Sequence, residues 1–342
     1  MSQANPAFEP EATSTAAAIE QMKLGVSRKQ RTLLGDAWRR FRKHRLAMIG
    51  SFILIFLIVA VLIGPTVYTQ VRIAQAAAAG TPLPKNDQNF RSLMEQLDFL
   101  AILSPPSAMH PFGTDDLGRD QLARALFGGR ISLLVGVVAM LIAVGVGTVV
   151  GVTAGFIGGL ADNLLMRLTD LFLSLPQLPL LLLTVYLFRE KVTGIFGPEN
   201  GIFLIVVVMV GGLAWMSTAR VVRATALSIK QKEYIEAATC LGIRRPAIMA
   251  RHLLPNAISP IIVAATLEIG NAIISESTLS FLGIGFPPDT PTWGRLVTDG
   301  SQYLQAAPHL AIIPGALIFI TVLSINFIGD GLRDALDPRS RL

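Results

Sequence analysis

The sequence has few charged residues and a single cysteine. Only 15% of its 342 residues are Asp, Glu, Lys or Arg, compared with about 25% in an average soluble protein. Hydrophobic residues make up 52% of the chain, and the mean hydropathy is +0.56. A soluble protein of this composition would expose large apolar patches, and a disordered chain would be more polar. Because Cys240 is the only cysteine, a disulfide scaffold is excluded. The composition therefore predicts an integral membrane protein.

Sequence motifs of common enzymes and metal sites are also missing. The chain contains no G-x-x-x-x-G-K-[ST] loop for nucleotide phosphates, no H-E-x-x-H pair, no cysteine cluster and no G-x-S-x-G elbow. Three aspartates, Asp115, Asp116 and Asp120, do not have the spacing of an EF-hand loop. We therefore expect no catalytic residue, no metal site and no cofactor bound by this chain. The net charge of +6 does not indicate nucleic acid as a partner.

The chain instead contains long intervals without Asp, Glu, Lys or Arg. A bilayer-spanning helix needs about 20 apolar residues, and lipid offers no partners to the unpaired backbone of an open strand. The alternation typical of a membrane β-barrel is absent. The sequence therefore predicts an all-α integral membrane protein with six transmembrane helices, at residues 46–68, 131–156, 164–188, 202–219, 256–281 and 309–328. The polar segment before the first helix is too long for a signal-peptide n-region, so we expect that helix to remain uncleaved.

The distribution of basic residues predicts the orientation. Most of the 29 Lys and Arg residues fall in segments that are inside when both termini are cytoplasmic, which agrees with the positive-inside rule. The predicted segments are a cytoplasmic N-terminal segment, an extracytoplasmic linker ending in an interfacial helix over 115–130, a core of five transmembrane helices, and a cytoplasmic tail, at residues 1–45, 69–130, 131–328 and 329–342. The basic stretch 28–45 is typical of an amphipathic helix on the inner membrane surface or of a topology signal alone.

Several residues within the predicted helices indicate how these helices pack. The second helix carries two overlapping G-x-x-x-G pairs, which allow close helix contact in lipid; they are formed by Gly147, Gly151 and Gly155. Arg167 and Asp170 are three residues apart near the cytoplasmic boundary, which predicts a structural ion pair. Pro176 and Pro179 predict a kink in the third helix.

The fifth helix carries unusual polar residues. Glu268, Asn271 and Ser275 fall on one face of a helix, and Glu276 follows near its outer end. A carboxylate facing lipid near the bilayer centre costs roughly 2.5 kcal/mol or more. These residues are therefore candidates either for a translocation pathway or for a structural bond to a partner subunit or a neighbouring helix. For Glu276 we expect the structural role.

The cytoplasmic loop 230–256 contains two short helix signals. Glu233 and Glu236 lie in the first turns of a helix over 231–241, where the helix dipole favours acidic side chains. Gly242 is a natural residue after a helix C-cap, and Pro246 can begin a second helix. The loop is therefore predicted to be an ordered helix–turn–helix, either with a docking partner or as an ordinary amphipathic loop.

The same loop carries the residues of a known motif. Glu236-Ala237-Ala238, three residues, Gly242, nine residues, and His252-x-Leu254-Pro255 resemble the EAA loop of binding-protein-dependent ABC importer permeases, in which isoleucine usually stands at the position of His252. Further segments resemble the second, C-type, permease of dipeptide and oligopeptide importers. They are His110-Pro111-Phe112-Gly113-Thr114-Asp115, Leu279-Ser280-Phe281-Leu282-Gly283, Pro291-Thr292-Trp293-Gly294, Gly329-Asp330-Gly331-Leu332-Arg333-Asp334 and Asp337-Pro338-Arg339.

This resemblance implies a type I ABC importer permease in the bacterial inner membrane. It implies a heterodimer with a homologous permease, two cytoplasmic subunits that bind and hydrolyse ATP with Mg, and an extracytoplasmic solute-binding protein. The residues of the EAA loop would contact the ATPase subunits. The solute would be a dipeptide, an oligopeptide or a related compound such as glutathione, a nickel chelate or a peptide antibiotic.

Two other functions compete with this interpretation. An ion-coupled secondary transporter needs charged groups at mid-membrane and often has internal repeats. Glu268 and Glu276 could serve such a transporter, although the sequence has no evident repeat. A membrane scaffold without transport activity is the third hypothesis. Uptake by the chain without an ATPase would favour the secondary transporter, and loss of uptake on deletion would exclude the scaffold.

Overall fold

The computed structural model describes residues 33–78 and 89–336. Within these ranges the protein consists of helices and loops without a β-strand, so the predicted all-α fold class is confirmed. The motif Asp337-Pro338-Arg339, residues 28–32 of the predicted basic stretch and the linker residues 79–88 lie outside the described ranges.

The described residues form fourteen α-helices and one π-helix. In chain order they are α1 Leu33–Lys43, α2 Arg45–Ala78, α3 Phe90–Glu95, α4 Gln121–Ile157, α5 Gly159–Ser174, α6 Gln177–Phe196, α7 Pro198–Gly212, α8 Trp215–Lys230, α9 Glu233–Cys240, α10 Arg245–Ile248, α11 Leu254–Asn256, α12 Ile258–Phe281, α13 Trp293–Ser301 and α14 His309–Leu336. Residues Met249–Leu253, between α10 and α11, form a π-helix.

Five of these stretches are long and apolar enough to cross a membrane: α2, α4, the pair α7 and α8, α12 and α14. The pair α5 and α6 also qualifies when it is taken together, although its two helices meet at 86°. The structure therefore agrees with six spans if this bent pair counts as one.

The bend between α5 and α6 is sharper than the predicted kink. Leu175 is extended, with φ −81° and ψ 136°, as expected for the residue before a proline. Pro176 lacks the N–H that would continue the helix. The span at 202–219 is also broken, at Leu213 and Ala214 between α7 and α8, and this second break was not predicted because no proline marks it.

The prediction of a separate interfacial helix over 115–130 is wrong, because residues from Gln121 onward form the first turns of the long helix α4. Asp120 caps this helix, and its carboxylate accepts a hydrogen bond from the Ala123 amide at 2.9 Å. Gly128 and Gly129 do not interrupt the helix. A Cβ on Gly128 would lie 3.1 Å from the Thr292 backbone, so glycine here permits contact with a neighbouring segment.

The long helix α4 packs closely against α8 through the predicted small residues. A Cβ on Gly151 would lie 2.5 Å from the carbonyl oxygen of Ala219, and a Cβ on Gly155 would lie 2.7 Å from the Cβ of Ala226. The glycines therefore let two membrane helices approach within backbone contact.

The N-terminal helix α1 packs on the last helix of the bundle. Phe41 is buried in a cluster with Ala47 and Ala335, whereas Trp38 on the same short helix is 59% exposed. One side of α1 is therefore anchored to the first turn of α2 and the last turn of α14, and the Trp38 ring stacks on Phe41 with 5.9 Å between the ring centroids.

Candidate functional site

The loop between α8 and α12 is an ordered unit with a buried and an exposed face. On α9, Ile235 and Ala238 are 2% and 5% exposed and pack in one cluster with Phe156 of α4 and Val222 of α8. The buried positions are three residues apart, so they lie on one side of the helix. The short helix α9 is thereby fixed to the C-terminal parts of α4 and α8.

The exposed face of α9 carries Glu236 and Ala237. The resemblance to the EAA motif implies that Ala237 and Ala238 both contact a partner, but Ala238 is buried and Ala237 is exposed. The helical period is the reason, because consecutive residues lie about 100° apart around the axis. Leu241, just after α9, is 81% exposed and adds an apolar side chain to the outer surface.

The turn after α9 depends on Gly242. Its φ is +72°, a left-handed conformation that glycine adopts without a steric penalty. The Gly242 amide donates to the Thr239 carbonyl at 3.0 Å, and the Ile243 amide donates to the Ala238 carbonyl at 3.2 Å. This pair of hydrogen bonds is a Schellman motif, and it sets the direction in which the chain leaves α9.

The second half of the motif lies on the return to the membrane. His252 is half-buried in the π-helix, while Leu254 and Pro255 are exposed at the start of α11. Pro255 cannot donate to a carbonyl in the preceding turn, and the widened turn before it accommodates this loss. Asn256 donates from its amide nitrogen to the His252 carbonyl at 2.6 Å.

Two cavities meet beside the middle of α12. The first, of about 550 Å³, reaches from Ser259 at the start of α12 to Arg333 in the last turn of α14. The second, of about 440 Å³, lies where α5 meets α6 and α7 meets α8. Three polar residues line both cavities: Ser217, Glu268 and Asn271.

The polar residues that the sequence predicts on one face of the fifth membrane helix, which is α12, line these cavities. Glu268 is 7% exposed, and the Asn271 side chain lies beside its carboxylate. Ser275 lines the second cavity with them. Ser217 and Arg333 were not predicted as lining residues, because their position relative to α12 depends on the packing of α8 and α14.

Glu276 faces a different environment from Glu268. It is fully buried, and its carboxylate accepts hydrogen bonds from Ser280 and Thr292, each at 2.8 Å, and from Ser132 at 3.3 Å. These residues belong to α4, α12 and the cap of α13. Glu276 therefore joins three elements near the C-terminal end of α12.

The expected ion pair between Arg167 and Asp170 is replaced by a contact between helices. Asp170 accepts a hydrogen bond from Arg220 of α8 at 2.6 Å, and Arg167 is exposed. One turn further along α8, Arg223 contacts both carboxylate oxygens of Asp162, at 2.5 and 2.6 Å. Arg220 and Arg223 of α8 therefore form ion pairs with Asp170 and Asp162 of α5. The spacing of residues along one helix does not predict these pairs, because they depend on how the two helices pack.

The segment before α4 is held by buried polar residues. Asp120 accepts a hydrogen bond from the Tyr68 hydroxyl at 2.6 Å and lies 2.7 Å from Nδ1 of His110. Arg124 is 2% exposed and pairs with Asp115. The segment around residues 110–124 is therefore tied to α2 and α4, which gives structural roles to acidic residues that could otherwise suggest a metal site.

Comparison with known proteins identifies the family. Residues 147–342 match the family described as "Binding-protein-dependent transport system inner membrane component". Residues 32–90 match the family described as "N-terminal TM domain of oligopeptide transport permease C".

Curated relatives match along nearly the whole chain. The oligopeptide transport system permease protein OppC of Haemophilus influenzae is 36% identical over 94% of this chain and 93% of its own. The dipeptide transport system permease protein DppC of Bacillus subtilis is 37% identical over 92% of this chain and 89% of its own. The glutathione transport system permease protein GsiD of Escherichia coli is 35% identical over 94% of this chain and 96% of its own. The chain therefore belongs to the family of binding-protein-dependent transport system inner membrane components, as a multi-pass inner membrane permease.

Proposed function

We propose that this chain forms half of the translocation pathway of an ATP-driven importer for dipeptides, oligopeptides or a related small solute. The observation that carries this proposal is the loop at 230–256, which is packed into the bundle on one face and exposed on the other. Such a loop can transmit a movement of a cytoplasmic partner to the membrane helices. The names of the relatives, which refer to oligopeptides, dipeptides and glutathione, support a peptide-like solute.

The coupling step would begin at the exposed face of α9. Glu236 offers a charged acceptor to a cytoplasmic ATPase subunit, Ala237 permits close approach, and Leu241 offers an apolar contact. Because Ile235 and Ala238 are packed against α4 and α8, a displacement of α9 moves these helices with it. Closure of the ATPases would thus switch the pathway between inward-facing and outward-facing arrangements by movement of rigid helices.

The transporter would contain several further subunits. ATP and Mg would bind to two cytoplasmic ATPase subunits, since this sequence has no phosphate-binding loop. A homologous permease would complete the pathway, and an extracytoplasmic solute-binding protein would deliver the solute. This arrangement requires cytoplasmic termini, with residues 69–130 outside.

Reconstitution with subunit omission tests the proposal. Proteoliposomes that contain both permeases, both ATPases and the solute-binding protein should take up peptide only with ATP on the ATPase side. Omission of this chain should abolish uptake. Peptide uptake by this chain alone, driven by an ion gradient, would contradict the proposal and favour a secondary transporter.

The single cysteine provides a direct test of the topology. Cys240 is exposed at the end of α9, so a membrane-impermeant thiol reagent should label it only after the cells are permeabilised. A Cys240→Ala variant controls for labelling of other groups. Labelling of Cys240 in intact cells would contradict the proposed orientation of the whole chain.

A further inference from the structure

We propose that Glu268, with Asn271 and Ser217, forms a cation-binding site that takes the ammonium group of a peptide at the junction of the two cavities. The ammonium group is the protonated amino terminus or a lysine side chain. This inference rests on the proposed function and adds to it the chemical group that the pathway recognises.

The position of the three residues places them on the route of a solute. They line both the 550 Å³ and the 440 Å³ cavity, so a solute that moves from one cavity to the other passes them. Each cavity falls within the range of about 300–1,000 Å³ that is typical of small-molecule sites. Glu268 lies ten residues from the start of α12, which corresponds to a depth of roughly 15 Å and places it near the middle of the membrane.

The chemistry of Glu268 favours a cationic ligand. Within residues 33–78 and 89–336, no lysine or arginine forms an ion pair with this carboxylate. Glu276 on the same helix receives three hydroxyl hydrogen bonds, whereas the side chain beside Glu268 is the Asn271 amide. A carboxylate has about four acceptor positions. A buried carboxylate with unused acceptors is stabilised by a cationic ligand.

The remaining walls explain why a charged group would be the recognised feature. The first cavity is lined by Val221, Val263 and Leu267, and the second by Leu213 and Ile274. Apolar walls tolerate side chains of different shape. Arg333 is the other charged residue that lines the first cavity, and its positive charge cannot bind an ammonium group, so this role falls to the carboxylate of Glu268. An ammonium group is common to peptides of any sequence, so one carboxylate in an apolar pathway can bind all of them at the same point.

The rates at which thiol reagents label a cysteine in the complete transporter provide a test of this inference. These rates do not depend on which solute the solute-binding protein selects. The variant Ala264→Cys, in a Cys240→Ala background, places one thiol on the wall of the first cavity, one helical turn from Glu268. We would compare its labelling rates with a trimethylammonium and a sulfonate methanethiosulfonate reagent. The ratio of the cationic to the anionic rate should be well above one, and Glu268→Gln should lower it by about tenfold, because the reagents differ by two unit charges and the carboxylate lies about 6 Å away.

Two controls make the result specific. Glu276→Gln removes the other carboxyl group of α12, which faces neither cavity, and should leave the ratio unchanged. Trialanine added on the cytoplasmic side should slow labelling in the protein with Glu268 but not in Glu268→Gln, and N-acetyltrialanine should slow labelling in neither.

The inference is overturned if the thiol is not labelled, if the rate ratio does not depend on Glu268, or if both peptides protect equally. ATP-dependent uptake by the Cys240→Ala, Ala264→Cys protein is measured in the same vesicles. Normal uptake together with a ratio independent of Glu268 rejects the cation site and leaves the proposed function intact. Absence of ATP-dependent uptake by the transporter with the native chain would instead count against the proposed function.

Discussion

At the scale of single residues, Arg130 compensates for a proline within a membrane helix. Pro65 lies inside α2 and has no N–H to donate to the Val61 carbonyl one turn earlier. The guanidinium of Arg130 on α4 donates to that carbonyl at 2.9 Å and to the Leu62 carbonyl at 2.8 Å. An unsatisfied carbonyl is costly in lipid, so this contact both satisfies the backbone and ties α2 to α4.

A double-mutant cycle tests this pairing. Arg130→Leu should lower the free energy of unfolding of the purified protein, since the Val61 carbonyl loses its donor. In a Pro65→Ala background the backbone amide of the substituted alanine can donate to that carbonyl, so the cost of Arg130→Leu should be smaller by about 1 kcal/mol. Denaturant unfolding in micelles measures both costs. An equal cost of Arg130→Leu in the two backgrounds would show that Arg130 does not act through the proline.

At the scale of helices, the contact between α4 and α8 connects the loop 230–256 with the cavities. The C-terminal parts of these two helices hold α9, and α8 contributes Ser217 to both cavities. The distance between these helices is set by glycines whose Cβ atoms would overlap the facing backbone. A change in this contact should therefore disturb the stability of the bundle and the shape of the pathway together.

Two glycines of α4 provide a matched test of this contact. Gly151→Leu should destabilise the protein by several kcal/mol or prevent its assembly, because the Ala219 carbonyl lies 2.5 Å from the new Cβ. Gly145→Leu, on the same helix with no atom within 4 Å of its Cβ, should change stability little. The yield of folded protein and its thermal stability in detergent measure the difference. Similar losses in both variants would show that helix composition, rather than contact with α8, is responsible.

The apolar intervals predicted the spans, but helix ends and side-chain partners required tertiary information. The charged residues near Gln121 indicated a separate surface helix. The structure buries Arg124 in an ion pair with Asp115, so α4 can include this charged segment in its first turns. The motif placed Ala237 and Ala238 together, whereas the packing of α9 separates their environments. The polar face of Glu268, Asn271 and Ser275 was visible in the helical period. The two cavities meet at this face because α5 and α6, and also α7 and α8, are separated by breaks. Of these two breaks, the one at Pro176 was indicated by the sequence.

At the scale of the whole molecule, one continuous set of contacts leads from α9 to the two cavities beside α12. The exposed face of α9 lies at one end, and Glu268 lies at the other. Between them, the cluster of Phe156, Val222 and Ile235 joins α4, α8 and α9, and α8 continues to the cavities. We propose that this path couples a cytoplasmic ATPase to the movement of solute.

The most direct test of this claim compares peptide uptake and ATPase stimulation by Gly242→Val with those by Gly283→Val in the reconstituted transporter. Both glycines follow the C-cap of a helix, with φ of +72° and +79°, and the same pair of hydrogen bonds closes each helix. Neither glycine has an atom within 4 Å of its Cβ, so the two changes impose the same kind of backbone strain, one in the loop and the other at the C-terminal end of α12. We predict that Gly242→Val lowers ATP-dependent uptake by about tenfold, the factor that corresponds to ~1.4 kcal/mol of strain, while its helices remain folded and Gly283→Val keeps most of its uptake. Normal uptake with normal ATPase stimulation in Gly242→Val would contradict the assignment of this loop as the coupling element.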